Sequence, residues 1–207
     1  MRDALWYPLA GDAETRYLAG WILHLLHALV LPVVPLVWMV GVLGGVARSA
    51  ARGDDPPALD AEGVSRDALR VSLVLAAYAV PVAGVLALGA LVLPSGTDVP
   101  AAPVALLAAG LLGLLLPIVY VAPASVVHAS VSESLRAGFD RERIGRTLGD
   151  ARYFTRWAAG LGGLAAAAVA AGALGDYLVG YLLAVYCEVF AFACFGWGAS
   201  ATVERAR

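Results

Sequence analysis

Residues 17–47, YLAGWILHLLHALVLPVVPLVWMVGVLGGVA, form an apolar run of about 31 residues with Pro32 and Pro35 at its middle. A helix needs about 20 apolar residues to cross roughly 30 Å of hydrocarbon. The run is too long for one ordinary span. It is also too interrupted for a straight one, because each proline deletes a backbone donor and kinks or ends a helix. Two shapes fit: a single bent span, or a re-entrant hairpin of two half-helices of about 13 residues, tolerated where the break is buried in protein. A segment of this length is no signal-peptide core, and Met1–Arg16 lacks the basic bias of a leader, so no cleavable targeting segment is expected.

Four ordinary spans follow it: Leu69–Leu93, Val104–Val127, Trp157–Leu174 and Tyr177–Ala201. Composition agrees, with 61% hydrophobic residues, 14% charged and a mean hydropathy of +0.80. A soluble domain carries about 25% charged residues, and a chain of this size has no interior large enough to hide so much apolar surface. The fold class is therefore all-α: a polytopic transmembrane helix bundle of four clear spans plus the proline-broken first segment. Residues 1–207 read as one integral membrane domain, with 1–16 as an interfacial N-terminal segment and 48–68 and 128–156 as cytoplasmic loops.

That orientation comes from arginine, because basic residues near the spans set topology whereas acids contribute little. Arg48, Arg52 and Arg66 lie in the first of these loops, Arg136, Arg141, Arg143, Arg146, Arg152 and Arg156 in the second, and Arg205 and Arg207 in the tail. Loop 94–103 and the Gly175–Asp176 connection carry none. The chain is thus expected in the cell membrane with its C-terminus cytoplasmic. Its N-terminus lies outside if the first segment is a span, and inside if it is a hairpin. A surface helix is expected over 139–156, with Phe139, Ile144, Leu148 and Ala151 on one side and Arg opposite. A faint echo joins Gly11-Asp12-Ala13, Arg16-Tyr17 and Trp21 to Gly149-Asp150-Ala151-Arg152-Tyr153 and Trp157, although the alignment needs a two-residue gap. All fourteen basic residues are Arg, and Lys, Asn and Gln are absent, a usage that suggests a GC-rich genome.

Three further stretches carry a resemblance. Trp6-Tyr7-Pro8 with Gly11-Asp12 opens the chain; Ala51-Arg52-Gly53-Asp54-Asp55-Pro56-Pro57 leads to Asp60; Ala137-Gly138-Phe139-Asp140 with Arg143-Ile144 precedes the fourth segment. In this order they resemble the uncharacterised archaeal multi-pass membrane family known as domain of unknown function 4013. The family pattern often has a Trp shortly after Asp60, which Ala61–Val64 lacks. The resemblance implies class and order and brings no activity.

Glu188 is the most informative side chain. It sits about 11 residues into the last segment, roughly 17 Å along a helix and close to mid-bilayer. An unpaired carboxylate there is costly, so it marks a candidate site by default; the alternative is a protonated glutamate bonding a neighbouring helix as structural glue. His24 and His27 lie three apart near one helix face, and His27 is the expected partner of Glu188 on grounds of depth. A metal would want three or four ligands, and only His128 remains, so no metal and no cofactor is expected. Cys187 and Cys194 read as small buried hydrophobes. Gly162, Ala166 and Ala170 read as a small-residue ridge for internal helix packing. Asp54, Asp55, Asp60 and Glu62 lack the alternation of a calcium loop and read as solvated. Arg141, Arg143, Arg146, Arg152 and Arg156 are candidate contacts for lipid head groups.

No nucleic-acid partner is indicated, because the net charge is −2 and no basic run is interleaved with aromatics. Neither HExxH nor GxSxG occurs, and there is no plausible Ser/His/Asp set, which argues against an enzyme. The leading expectation is a non-enzymatic scaffold or interaction protein whose partners are membrane lipids and a possible second copy, with no soluble partner. The rival is a small permease or channel with a midplane site at Glu188. A dry bundle around Glu188 favours the first, and a wet cavity reaching it favours the second.

Overall fold

The computed structural model describes residues 2–30, 33–92 and 101–204. Leu31, Pro32, the part of loop 94–103 that holds Ser95 and Asp98, and the tail residues Arg205 and Arg207 lie outside the described residues. Among the described residues there are eight α-helices: α1 Arg2–Trp6, α2 Ala13–Leu29, α3 Val34–Arg52, α4 Ala61–Val92, α5 Ala101–Val131, α6 Arg141–Leu148, α7 Ala151–Leu174 and α8 Val179–Glu204. Five of them (α3, α4, α5, α7 and α8) are long and apolar enough to cross a membrane.

Capping residues account for many of the boundaries. The side chains of Asp12, Asp140 and Asp150 accept backbone N–H bonds at the starts of α2, α6 and α7, filling donors that have no partner within the helix. Asp60 does the same before α4, accepting from Glu62 and Gly63. Gly53 ends α3 at φ 78°, a left-handed conformation that glycine adopts without a Cβ penalty. Pro35 sits in the first turn of α3, where its missing N–H has no helical partner to lose.

The first apolar segment is a hairpin. Gly20 of α2 lies against Met39 of α3, and His24 and His27 share a cavity with Pro35 and Leu36. Farther from the turn, Tyr7 Oη donates to the Asp54 carbonyl at 3.1 Å, and Gly11 approaches the Pro56 carbonyl. The halves are longer than expected: α2 has 17 residues and α3 has 19. The added length comes from Asp12, which starts α2 ahead of the apolar run, and from Gly53, which ends α3 beyond it.

α3 is the hub of the molecule, packing against α2, α4, α5 and α8. Its residues from Gly41 to Ala47 are all buried. Contact with α8 is so close that a Cβ on Gly196 would collide with the Ala47 carbonyl, and one on Gly41 would collide with the Val64 carbonyl of α4. α4 and α5 form an antiparallel arm, with Gly89 against Leu107 and Tyr78 bonded to Ser125. α7 and α8 form a second antiparallel pair, with Gly163 against the Cys187 carbonyl and Gly160 against the Phe195 ring. The outer half of the α4–α5 arm is largely exposed; Leu91 is 84% exposed and Leu106 75%.

Two expectations are corrected. The single surface helix over 139–156 is instead a 3-10 turn, Leu135–Phe139, then α6, then the start of α7. Asp140 and Asp150 each restart the chain as N-caps, and Gly149 separates the two helices. The packing ridge on α7 is Gly160, Gly163, Ala167 and Ala170. Gly162 and Ala166 face outward, because α8 meets the neighbouring stripe of the helix.

Candidate functional site

Glu188 stands nine residues into α8, roughly 14 Å along its axis. His24 Nε2 is 3.3 Å from Glu188 Oε1, and the two side chains are only 15% and 20% exposed. Of the expected site residues, the structure therefore joins Glu188 to His24, one turn before His27. The reason is the face that α2 turns to its neighbours. Gly20 and His24 are four apart and share a stripe; at Gly20 even a Cβ would press on Val185 of α8. His27 is rotated off that stripe and exposed, although it still lines the cavity beside the pair.

The hydrogen bonds restrict where protons sit. His24 Nδ1 is 2.9 Å from the Gly20 carbonyl, which can only accept, so Nδ1 carries a hydrogen. A hydrogen bond between Nε2 and Oε1 then needs one proton, carried by either group. So bonded, the pair is imidazolium with carboxylate or neutral imidazole with carboxylic acid, and its net charge is zero in both. Glu188 Oε2 is buried and has no hydrogen-bond partner among the described residues. Glu188 also lines a cavity of about 40 Å³, together with Leu23, His24, His27, Pro35, Leu36 and Met39. That is room for about one water molecule.

Three buried polar groupings escaped the sequence reading. Asp67 is 2% exposed and accepts from Arg48 at 2.8 Å and Arg70 at 2.7 Å, clamping α3 to α4. His128, Thr147 and Thr202 form a chain with contacts of 2.8 and 2.7 Å that ties α5, α6 and α8 together. Arg16 is 1% exposed and donates to the Pro8 and Ala10 carbonyls, folding the N-terminal segment back on α2. The only advance signals were Asp67 at i,i+3 to Arg70, and polar residues at the ends of apolar runs.

The five arginines expected at lipid head groups differ in their engagement. Arg143 pairs with Asp140 and Arg146 with Glu142, and Arg156 lies over the Trp197 ring at 5.3 Å. The side chains of Arg141 and Arg152 have no such contact among the described residues. Around Asp54, Asp55, Asp60 and Glu62, Asp60 is an N-cap and Glu62 pairs with Arg66. No group of three metal-ligating side chains occurs among the described residues. Cys194 is buried and Cys187 half-buried, both free.

A family model described as "Protein of unknown function (DUF4013)" matches residues 24–176, most of the chain, and the protein belongs to that family. No curated protein and no solved structure matches it.

Proposed function

We propose that this integral membrane protein is a non-enzymatic scaffold in which the His24–Glu188 pair clasps the first hairpin to the last helix. The observation that supports this reading is the space around the pair. Its cavity of about 40 Å³ is walled mostly by apolar side chains, too little for a hydrated ion or a solute. A net-neutral pair bonded across two helices is the economical state of such groups in hydrocarbon. We also place the protein in the cell membrane with its arginine-rich end cytoplasmic. The excess of Arg in the connection 132–150 and in the helix ends at Arg48, Arg52, Arg66 and Arg70 supports that side. The family resemblance carries the expectation of an archaeal source.

A second reading, a small permease, is favoured by one observation: Glu188 has an unpartnered Oε2 among the described residues and lines a cavity beside a broken helix pair, as at the midplane sites of transporters. Vesicles containing the purified protein and an entrapped pH dye separate the two. Under an imposed pH gradient and potential, the scaffold reading expects no proton movement that depends on Glu188, and a lowered melting temperature for Glu188→Leu. Proton flux that disappears in Glu188→Gln with unchanged melting would overturn it in favour of transport.

A further inference from the structure

Five arginines at the connected end of the bundle are ion-paired. Arg48 and Arg70 share Asp67, Arg66 pairs with Glu62, Arg143 with Asp140, and Arg146 with Glu142. Arg141 is not among them. It is exposed, and its side chain has no ion pair or hydrogen bond among the described residues, while the two acids flanking it in sequence are committed to Arg143 and Arg146.

This uncompensated charge borders an apolar cavity. Arg141 lines a space of about 410 Å³ together with Tyr78, Val121, Phe139, Ile144 and Leu148. One wall belongs to the membrane-spanning α4 and α5, and the other to the 3-10 turn and α6. Tyr78 and Phe139 stack across it with ring centroids 6.1 Å apart. Tyr78 turns its hydroxyl away to Ser125 at 2.7 Å, so the ring presents carbon to the cavity. Gly145 also lines the space, and a Cβ there would meet nothing within 4 Å.

We propose that this cavity is a binding site for one anionic phospholipid, with an acyl chain against Tyr78, Val121 and Leu148 and the head-group phosphate on Arg141. The apolar walls suit a chain, which a soluble anion lacks. The unpaired Arg141 guanidinium suits a net negative head group, and a basic residue at a membrane surface favours anionic lipid by about 1 kcal/mol, or fivefold. The site does not depend on the role of His24 and Glu188, so its failure would leave the scaffold reading intact.

The test uses the whole chain in mild detergent. Phosphatidylglycerol, phosphatidylcholine of the same chains, or inorganic phosphate is added; native mass spectrometry counts retained lipid, and melting is followed in parallel. One phosphatidylglycerol should be retained and should raise the melting temperature, while phosphatidylcholine is retained about fivefold less and inorganic phosphate does nothing. Arg141→Gln should lower retention about fivefold. Gly145→Leu keeps the charge but fills the cavity, and should abolish retention; both positions are exposed, so the variants fold. Arg152→Gln, which removes an equally unpaired arginine elsewhere, should leave retention unchanged. Retention that survives Gly145→Leu overturns the site, as does equal loss in Arg141→Gln and Arg152→Gln. Displacement of the lipid by inorganic phosphate alone would make it an anion site and overturn the lipid assignment.

Discussion

At the scale of single residues, the bond between His24 and Glu188 divides two kinds of substitution. Glu188→Gln keeps a hydrogen-bonding group facing Nε2, and should change stability by less than about 1 kcal/mol. Glu188→Leu leaves that nitrogen without a partner, and should cost about 1–3 kcal/mol. Thermal unfolding in one detergent decides it: equal losses in the two variants would mean that the bond contributes nothing. A second residue gives a pH dependence. The backbone N–H groups of Arg143 and Glu142, together with the Arg143 charge, hold Asp140 below its ordinary 3.8. A depressed folded value contributes stability above the ordinary value and loses it as pH falls through the lowered one. Helical signal from α6 should therefore weaken below about pH 4, and Asp140→Asn, which still caps a helix, should flatten that acid-side change. Depth along the last apolar run was enough to single out Glu188. Choosing between His24 and His27 was beyond a count of residues, because both lie at usable depths. The choice depends on which stripe of α2 meets α8, and only the packing of Gly20 on Val185 settles that.

At the scale of elements, glycine positions separate packing stripes from lipid-facing ones. Gly196→Leu drives a side chain into the Ala47 carbonyl at the α3–α8 contact, and should cost about 3 kcal/mol or prevent folding. Gly162→Leu meets open space, and should be neutral or slightly stabilising through better helix propensity. Comparable loss in both would mean that α7 packs through the stripe expected from sequence. Spacing alone could not choose between these stripes, since Gly160, Gly162 and Gly163 are all small and only the partner helix distinguishes them. The proline pair did announce a break. Its outcome as a hairpin depended on contacts far from the prolines, namely Tyr7 with Asp54 and Gly11 with Pro56. The echo between the starts of α2 and α7 also has a local cause. Asp12 and Asp150 are both N-caps, and Trp21 and Trp157 each donate to a backbone carbonyl of a neighbouring element, Leu178 and Val119. Like chemistry at two helix entrances is sufficient to produce it.

At the scale of the whole molecule, the hairpins sort the chain into two ends. Tyr7 meets Asp54, Arg52 donates to the Val131 carbonyl, and Thr147 bonds Thr202, so the N-terminal segment, the connections 53–60 and 132–150 and the end of α8 share one end. The turns near Val30 and Tyr177 belong to the other. Both termini must then face the same compartment, which a bent single span would forbid. The prediction is that tags at Met1 and Arg207 are protected or cleaved together in sealed vesicles. Single cysteines replacing Glu142 and Tyr177, both exposed, should label from opposite sides once Cys187 and Cys194 are removed. Tags on opposite sides, or cysteines labelled from the same side, would reject the hairpin. The same division explains where the molecule is firm. The buried ion pairs and the His128–Thr147–Thr202 chain lie at the connected end, whereas the outer half of the α4–α5 arm is largely exposed. Stability that varies this much along a structure appears as a gradient of amide exchange. Exchange in detergent should therefore be slowest at α3 residues 41–47 and the inner half of α8, and fastest at α4 residues 80–91. Uniform protection along α4 would mean that the arm is covered by something other than lipid.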